Sequence, residues 1–299
     1  MRIGTMASAR VSAMAAPRRR RGRRGRAVEM VFVYLVLALA CAIVLYPLLW
    51  VIACSFRVSS GLISSSLIPA KPTLANYRRI LTDPNVNFLR WFFNTIKVSA
   101  LSSLGALAVT APAAYAFSRM RFAGRRHVLI CLMISQMFPS FMAIVALYTL
   151  LGWVGLIDSH LGLILLYAGG ATPFSIWLLK GYFDSVPRSM EESAMIDGAT
   201  KFQAFTKVLL PLARPILYVV GLINFIGPYA EYILAQSVIT SGSRWTVAMG
   251  MRSLTMSSQF ATDWPVFSAT SVLTAIPIVI VFLSAEKYIV SGLTQGAVK

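Results

Sequence analysis

Six long stretches of the chain contain almost no charged residues, and this pattern constrains the fold more than any other feature. A bilayer core needs about 20 consecutive apolar residues per helix. Membrane-barrel strands would instead alternate in polarity over about ten residues, which these stretches do not do. The sequence therefore predicts an all-α integral membrane protein with six transmembrane helices. We place the spans at about residues 31–55, 92–118, 128–151, 161–183, 209–240 and 264–288.

The composition agrees with a chain that lies largely in the membrane. Hydrophobic residues make up 57% and charged residues 13%, whereas a soluble domain carries about 25% charged residues. We expect a transmembrane domain over residues 28–290. An Arg-rich tail, 1–27, precedes it, and a short tail, 291–299, follows it.

The tail 1–27 contains nine arginines. It could be a nucleic-acid-binding arm, a cleaved signal peptide or an anchor on the cytoplasmic side of the first span. The apolar run that follows is far longer than the roughly 7–15 residues of a signal peptide. Lys and Arg next to a membrane helix stay on the cytoplasmic side, so we favour the anchor. With this end inside, twenty Lys and Arg lie inside and seven outside, which predicts that both termini are cytoplasmic.

Two helix-start signatures follow each other in the loop between the fourth and fifth spans. Ser189 and Glu192 have the S-x-x-E spacing of a capping box, and Thr200 and Gln203 have the equivalent T-x-x-Q spacing. Between them, Gly198 can adopt the left-handed conformation that ends a helix. The loop is therefore predicted to form two short helices, each of about two turns, with a corner at the glycine.

This loop, residues 187–211, also concentrates negative charge, because it holds three of the ten acidic residues: Glu191, Glu192 and Asp197. Isolated helices shorter than about 12 residues are marginal in water, so the pair must pack on something. One interpretation is an amphipathic element on the lipid surface, but such elements are usually rich in Lys and Arg. The other is a plug that docks into a soluble cytoplasmic partner and pairs an acid with a basic residue there. For packing, the second helix offers Phe202, Phe205 and Leu209, and the first offers Ala194 and Met195.

The pattern E-x-A-x-x-x-G, followed by L-P, resembles the EAA coupling loop of ABC importer permeases. In this chain the pattern spans 192–198, with Leu210-Pro211 after it, and Ser193 stands where the family usually has Ala. Together with further stretches named below, this loop is most similar to the carbohydrate family of ABC importer permeases. Within that family it is most similar to the smaller, MalG-type permease subunit of maltose/maltodextrin importers. The resemblance implies the type I ABC importer permease fold with a short cytoplasmic coupling helix pair. Further resembling stretches are 114–122, 136–141, 177–187 and 291–299.

The resemblance implies half of a translocation pore for maltose, maltodextrin or a related oligosaccharide, in a bacterial-type cytoplasmic (inner) membrane. It implies a second, larger homologous permease, a dimer of ATPase subunits, an extracytoplasmic sugar-binding protein and membrane lipid as partners, and no nucleic acid. The chain itself would hold no cofactor or metal, because the partner ATPase would use ATP and Mg. Trehalose, glycerol phosphates and other sugars stay open as substrates.

The resemblance also assigns roles to individual residues. In the family the coupling loop seats in a cleft of the ATPase subunit, a role that falls here on Glu191, Glu192, Ala194, Asp197, Gly198 and Pro211. The tail reaches between the two ATPase subunits, which implies contacts by Gln295, Gly296 and Lys299. The outside loop 241–264 is either a surface connector or the segment that reaches the sugar-binding protein, through Ser241, Gly242, Arg244 and Trp245.

The fifth span is unusual because it places Gly227-Pro228 in mid-run, near Asn224 and Glu231. Pro and Gly interrupt the helical hydrogen bonds, which membrane helices tolerate where neighbours or water satisfy the freed groups. An acid inside the membrane is by default a functional candidate. Either the kinked segment lines the translocation path through Asn224, Gly227 and Glu231, or the acid lies at the outer end of the helix and faces water or a neighbouring subunit.

No catalytic motif occurs in the sequence. The G-x-x-x-x-G-K-[ST] loop that binds nucleotide phosphates is missing, so we expect a non-catalytic transport subunit. Two rival classes remain. A secondary transporter would need a coupling-ion site in the membrane, for which only Glu231 is available, without an evident partner. A membrane anchor for a cytoplasmic complex would need the docking element but no polar pathway.

Overall fold

The computed structural model describes residues 23–58, 68–84, 86–256 and 263–297, with side chains described from Glu29 to Tyr288 apart from Ser140. Within these ranges the chain is helical with connecting turns and contains no strand, which confirms the all-α prediction. The chain forms two compact units, residues 1–50 and 51–299. Most of the predicted Arg-rich tail, 1–22, and Lys299 of the predicted C-terminal tail lie outside the described residues.

Helix α1 (Arg23–Ser55) makes up the described part of the first unit and continues into the second. Its segment Glu29–Ser55 is long and apolar enough to cross a membrane. The helix contains the predicted span 31–55 but begins eight residues earlier, so the last residues of the predicted tail are already helical. Arg, Ala, Glu and Met are good helix formers, and no proline stands between Arg23 and the apolar run.

The described residues of the second unit form eleven further helices. A π-helical turn, Ala204–Leu209, lies within α8, and short 3-10 turns occur at Ser140–Ala143 and Gly242–Arg244. The helices are α2 (Ala75–Thr82), α3 (Phe88–Arg119), α4 (Arg125–Ser135), α5 (Ile144–Trp153), α6 (His160–Ser185), α7 (Ser189–Ile196), α8 (Lys201–Leu212), α9 (Arg214–Ala230), α10 (Ile233–Val238), α11 (Val247–Met256) and α12 (Trp264–Ala297).

Helices α3 and α6 pack side by side and run in the same direction. Midway along them, a Cβ added to Gly105 would lie only 3.6 Å from the Cβ of Ala168, so the two backbones approach closely, as small residues allow in membrane bundles. Helix α9 runs in the opposite direction along α3, where Ser103 Oγ donates a 2.7 Å hydrogen bond to Gly221 O. These three helices form the centre of the second unit.

The second unit therefore has two distinct ends. At one end α3 and α6 finish, and α7 follows directly; we call it the α7 end. At the other, Asn94 Nδ2 donates to Ser243 O at 3.1 Å, and His160 Nε2 lies 2.8 Å from Arg244 O. We call it the loop end, since the segments 154–159 and 240–246 meet there.

The predicted third span, 128–151, is not one helix. Helix α4 ends at Ser135, and the chain reaches α5 only at Ile144 through a turn and a 3-10 segment. Pro139 lies in this break with extended backbone angles (φ −59°, ψ 126°), and a proline disfavours helical geometry in the residue before it. The two pieces are 11 and 10 residues long, each shorter than a bilayer core requires.

The predicted fifth span, 209–240, is also divided. Helices α8 and α9 meet at Ala213 with a bend of 78°. Helix α9 continues through Gly227 and Pro228 and ends at Ala230, so these two residues do not end the helix. The chain leaves the helix at Glu231, which is extended (φ −74°, ψ 133°). Proline removes a single helical hydrogen bond, toward the preceding turn, so the helix persists for two more residues.

Within the described residues, four single helices have the length and apolarity of a membrane span, and the bent pair α8–α9 is a fifth candidate. The predicted count of six is not confirmed, because the third predicted span is divided into short pieces. Helix α12 runs to Ala297, so the predicted tail 291–299 is largely a continuation of the last helix. The four single helices are Glu29–Ser55, Phe88–Arg119, His160–Ser185 and Trp264–Tyr288.

Candidate functional site

The first predicted capping box of the coupling loop does not form. Ser189 is already the first residue of α7, the residue before the helix is Arg188, and no side chain caps the first turn. Backbone carbonyls take that role instead, since the amides of Glu191 and Glu192 both donate to Arg188 O at 3.0 Å. The turn after Pro187 therefore starts the helix without help from the serine hydroxyl.

The second capping box and the corner are confirmed. The backbone N–H of Gln203 donates to Thr200 Oγ1 at 3.2 Å, and the backbone N–H of Thr200 donates to Gln203 Oε1 at 2.8 Å. Gly198 has φ +91°, in the region that favours glycine. Helix α8, however, spans Lys201–Leu212 and is longer than the two turns predicted. Pro211 lies in its last turn and not at the corner.

The three acids of the loop have different environments. Glu191 is 4% exposed, and its Oε1 accepts a 2.6 Å hydrogen bond from Arg119 Nε at the end of α3. Glu192 and Asp197 are exposed, and Ala194 is half-buried. We expected either Glu191 or Glu192 to pair with a basic residue of a partner. Glu191 already pairs with Arg119 inside this chain, so Glu192 is the glutamate left exposed for a partner.

Apolar side chains are divided between the two faces of the corner. Phe205 and Leu209 of α8 are buried against α3 and α6. Phe202, which the sequence placed in the same packing group, is 71% exposed. Together with Met195 at 38% and Ile196 at 87% exposure, it forms an apolar surface around Gly198. We call the five residues Glu192, Met195, Ile196, Asp197 and Phe202 the corner surface.

The predicted translocation-path residues do not form one polar cluster. Asn224 is buried at 4% exposure, and its Oδ1 lies 3.1 Å from the Ser175 hydroxyl, which donates to it. Gly227 is exposed, with no side chain near the position of its missing Cβ. Both lie on α9, one turn apart. The side chain of Glu231 accepts its hydrogen bonds from other elements, α6 and α10.

Glu231 has clear hydrogen-bond partners, contrary to what the sequence indicated. Its Oε2 accepts 2.6 Å and 3.1 Å hydrogen bonds from the Tyr167 hydroxyl and the Ala235 amide, and its Oε1 accepts a 2.8 Å bond from the Leu234 amide. Two of these donors belong to the first turn of α10, where a carboxylate is stabilising. The glutamate thus fixes the break between α9 and α10, an anchoring function that uses both of its oxygens.

At the loop end, the predicted binding-protein contacts are tied to the segment 154–159. Ser241 donates to Asp158 from its amide at 3.0 Å and from its hydroxyl at 2.5 Å. Arg244 forms an ion pair with the same carboxylate at 3.1 Å. The pKa of Asp158 is lowered to about 2, and the largest cause is the hydrogen bond from the Ser241 hydroxyl, followed by the bond from the Ser241 backbone amide. Gly242 lies exposed between them.

The described part of the loop 241–264 is packed against the rest of the chain. Trp245 packs on Trp91 at 6.2 Å between ring centroids, and the helix α11 follows. Gly250 of α11 lies against the face of Trp91 so closely that a Cβ at this position would overlap the ring. This segment is packed on α3 because glycine permits the approach. Residues 257–262 of the loop lie outside the described part of the chain.

The C-terminal residues assigned to the ATPase contact are described only in part. Gln295 and Gly296 belong to the last turn of α12, and their side chains, like the whole of Lys299, lie outside the described residues. Sequence reasoning missed three residues that the structure brings into these sites: Arg119, Asp158 and Tyr167. Only Arg119 carried a signal, since it lies in a basic segment directly after a span.

Comparison with known proteins agrees with this architecture. Residues 106–295 match the family described as binding-protein-dependent transport system inner membrane component. The galactooligosaccharides transport system permease protein GanQ of Bacillus subtilis is 37% identical, over 92% of this chain and 97% of its own length. The maltose/maltodextrin transport system permease protein MalG of Vibrio vulnificus is 39% identical over 86% and 92%, and that of Escherichia coli K12 is 36% identical over 92% and 98%.

Solved structures show the same fold at lower sequence identity. A bacterial ABC transporter involved in the import of the acidic polysaccharide alginate matches with a TM-score of 0.77 at 24% identity, over 89% of this chain and 98% of that chain. The MetNI methionine ABC transporter, in an inward-facing form, matches with a TM-score of 0.54 at 18% identity, over 68% and 95%. With a family match that covers most of the chain and relatives above 35% identity, this chain belongs to the inner membrane component family of binding-protein-dependent transport systems.

Proposed function

We propose that this chain is the permease subunit of an ATP-driven sugar importer, and that it forms half of the pore for maltose, maltodextrin or a related oligosaccharide. The relatives that cover most of the chain are named as permeases for galactooligosaccharides and for maltose/maltodextrin. The substrate class common to those names is an oligosaccharide of hexoses, which is the class we assign here.

The observation that carries the proposal is the corner surface. Ile196 and Phe202 expose 87% and 71% of their surface, on a corner whose other face is buried in the bundle. Large apolar side chains left exposed on both sides of one helix corner indicate a contact surface for another protein. The exposed carboxylates of Glu192 and Asp197 suit an Arg of a partner, which pairs with a carboxylate bidentately.

The partner proposed for the corner surface is the ATPase subunit of the importer, so the α7 end would face the cytoplasm. The loop end would then face the extracytoplasmic sugar-binding protein, with Arg244 and Trp245 on that side. A second, larger homologous permease would complete the pore. In this assembly ATP and Mg are used by the ATPase dimer, and the present chain contributes the pore and the docking corner, in a bacterial cytoplasmic membrane.

The experiment is co-purification of the assembled importer from membranes, followed by uptake of labelled maltodextrin in proteoliposomes. Ile196→Asp places a charge in the proposed docking contact and should reduce recovery of the ATPase subunit at least ~10-fold, because burying an unpaired charge is costly. Val154→Asp is the matched control: Val154 is 58% exposed but lies at the loop end, and its ATPase recovery should equal that of the wild type. Equal recovery with both variants would reject the docking role of the corner.

A further inference from the structure

The ends of α3, α6 and α7 are joined by one buried arginine. Arg119, the last residue of α3, donates from Nε to Glu191 Oε1 at 2.6 Å and from Nη2 to Val186 O at 2.9 Å. The Arg119 and Glu191 side chains are only 9% and 5% exposed. A single guanidinium therefore holds α7 through a carboxylate and the segment after α6 through a backbone carbonyl.

A second set of contacts fixes the same junction from the side of α6. Ser118, next to the arginine, donates from Oγ to Asp184 Oδ1 at 2.6 Å. The other oxygen of that carboxylate pairs with Lys180 at 2.5 Å. Arg188, just before α7, donates from Nη2 to Ser118 O at 3.3 Å. The three helix ends are thus connected in a closed circuit of polar contacts.

Such a buried pair constrains geometry more than an exposed one does. Exposed ion pairs contribute little and rearrange readily. A buried pair whose partner is removed leaves an uncompensated charge, which is strongly unfavourable. Any displacement of α7 away from α3 would separate Arg119 from Glu191 inside the protein. The helix is therefore expected to move only together with the ends of α3 and α6.

We propose that the Arg119–Glu191 pair is the positioning device that makes α7 and the helices α3 and α6 move as one body. Glu191 then connects helices within this chain and is not a docking residue, and Glu192 is the acid that faces outward. This inference rests on the proposed function, since it assumes that force is applied to the corner surface by an ATPase partner. It adds the connection by which that force reaches the membrane helices.

A cavity of about 400 Å³ borders the pair and makes a charge-swap test practicable. Its wall includes Tyr115, Arg119, Arg188, Glu191 and Met195. This space can accept the longer side chain when Glu191 is replaced by Arg. The double variant Arg119→Glu with Glu191→Arg restores a pair of opposite charges at this site, and it loses the bond from residue 119 to Val186 O.

The test uses the full importer, reconstituted in proteoliposomes, and measures maltodextrin uptake per ATP hydrolysed. Arg119→Glu and Glu191→Arg should each lower that ratio at least ~10-fold, because like charges then face each other in a buried site. The double swap should restore the ratio to within about 3-fold of wild type, since pairing is recovered. The control is Arg79→Glu, which breaks an ion pair with Asp263 at the loop end and should leave the ratio unchanged.

Assembly is followed separately by recovery of the ATPase subunit. If the single variants fail to assemble, Arg119→Lys provides the readout, because it keeps the charge and loses the fork that reaches both Glu191 and Val186 O. It should assemble normally and lower the uptake per ATP several-fold. A wild-type ratio in Arg119→Lys, or no recovery in an assembled double swap, would overturn the proposal. Either result would leave intact the docking role of the corner, which the Ile196→Asp experiment addresses separately.

Discussion

Phe205 of α8 packs on Tyr115 of α3 with 4.7 Å between ring centroids. This contact anchors the inner face of the corner at Gly198 in the bundle, while Phe202, three residues earlier, stays 71% exposed. The two phenylalanines of α8 therefore have different roles: Phe205 packs in the bundle, and Phe202 belongs to the corner surface.

Replacing each phenylalanine by alanine should separate these tasks. Phe205→Ala should lower stability by about 3–5 kcal/mol, since a large buried ring is lost. Phe202→Ala should change stability by less than about 0.5 kcal/mol, as is usual for exposed positions, and should weaken recovery of the ATPase subunit. Thermal unfolding in detergent and co-purification measure the two effects. Equal stability loss in both variants would contradict the division of faces.

Gly198 is expected to tolerate no side chain without a cost in coupling. At φ +91° a residue with a Cβ is strained by about 1–3 kcal/mol, although no atom lies within 4 Å of the added Cβ. Gly198→Ala should therefore shift the corner and lower uptake with little loss of folded protein. Gly169→Ala is the control, because Gly169 is helical with equally open space and alanine favours a helix by about 1 kcal/mol. Comparable uptake in both variants would show that the corner angle is unimportant.

The hydrogen bonds and the ion pair that join Asp158 to the segment 240–244 should depend on pH. The pKa of Asp158 is lowered from its ordinary 3.8 to about 2, chiefly by hydrogen bonds from Ser241. Because the pKa is lower in the folded protein, these contacts stabilise the fold fully above about pH 4, and their contribution is lost as the pH falls through about 2. A ¹³C carboxylate titration by NMR in detergent measures the midpoint directly.

Ser241→Ala should move that midpoint upward, because it removes the hydroxyl bond that is the largest cause of the shift. The backbone amide of residue 241 still donates to Asp158 in the variant, so the midpoint should stay below 3.8. Ser237→Ala is a suitable control, since Ser237 donates its hydroxyl to Ile233 O and does not bond to Asp158. A wild-type midpoint near 4, or the same shift in both variants, would contradict the described geometry.

The path hypothesis for the fifth span gives a fourth prediction. Asn224 Nδ2 is buried and has no acceptor among the described residues, although a buried donor is normally paired. If this segment lines the pore in another state of the transport cycle, Asn224→Leu should reduce uptake severalfold with normal assembly, and Gly227→Val should do the same. The measurement is maltodextrin uptake at equal ATPase recovery. Unchanged uptake in both variants would remove α9 from the pore lining.

The local features of the coupling loop were predictable because the interactions that create them are short in sequence. The box between Thr200 and Gln203 joins residues three apart, and Gly198 is recognised by its lack of a Cβ. The box at Ser189 failed because the carbonyl of Arg188 accepts the same amides. Sequence spacing does not show which of two competing acceptors is used.

The sequence by itself determined the membrane-spanning character, the all-helical fold and the family to which the coupling loop belongs, since these follow from apolar run length and from contiguous residues. Only the tertiary structure decided which glutamate is buried, because Arg119 and Glu191 are 72 positions apart. It also decided that Glu231 is an anchor held by Tyr167, 64 positions away. Such pairs depend on how the helix ends come together in space, and the pattern within one helix carries no information about that distance.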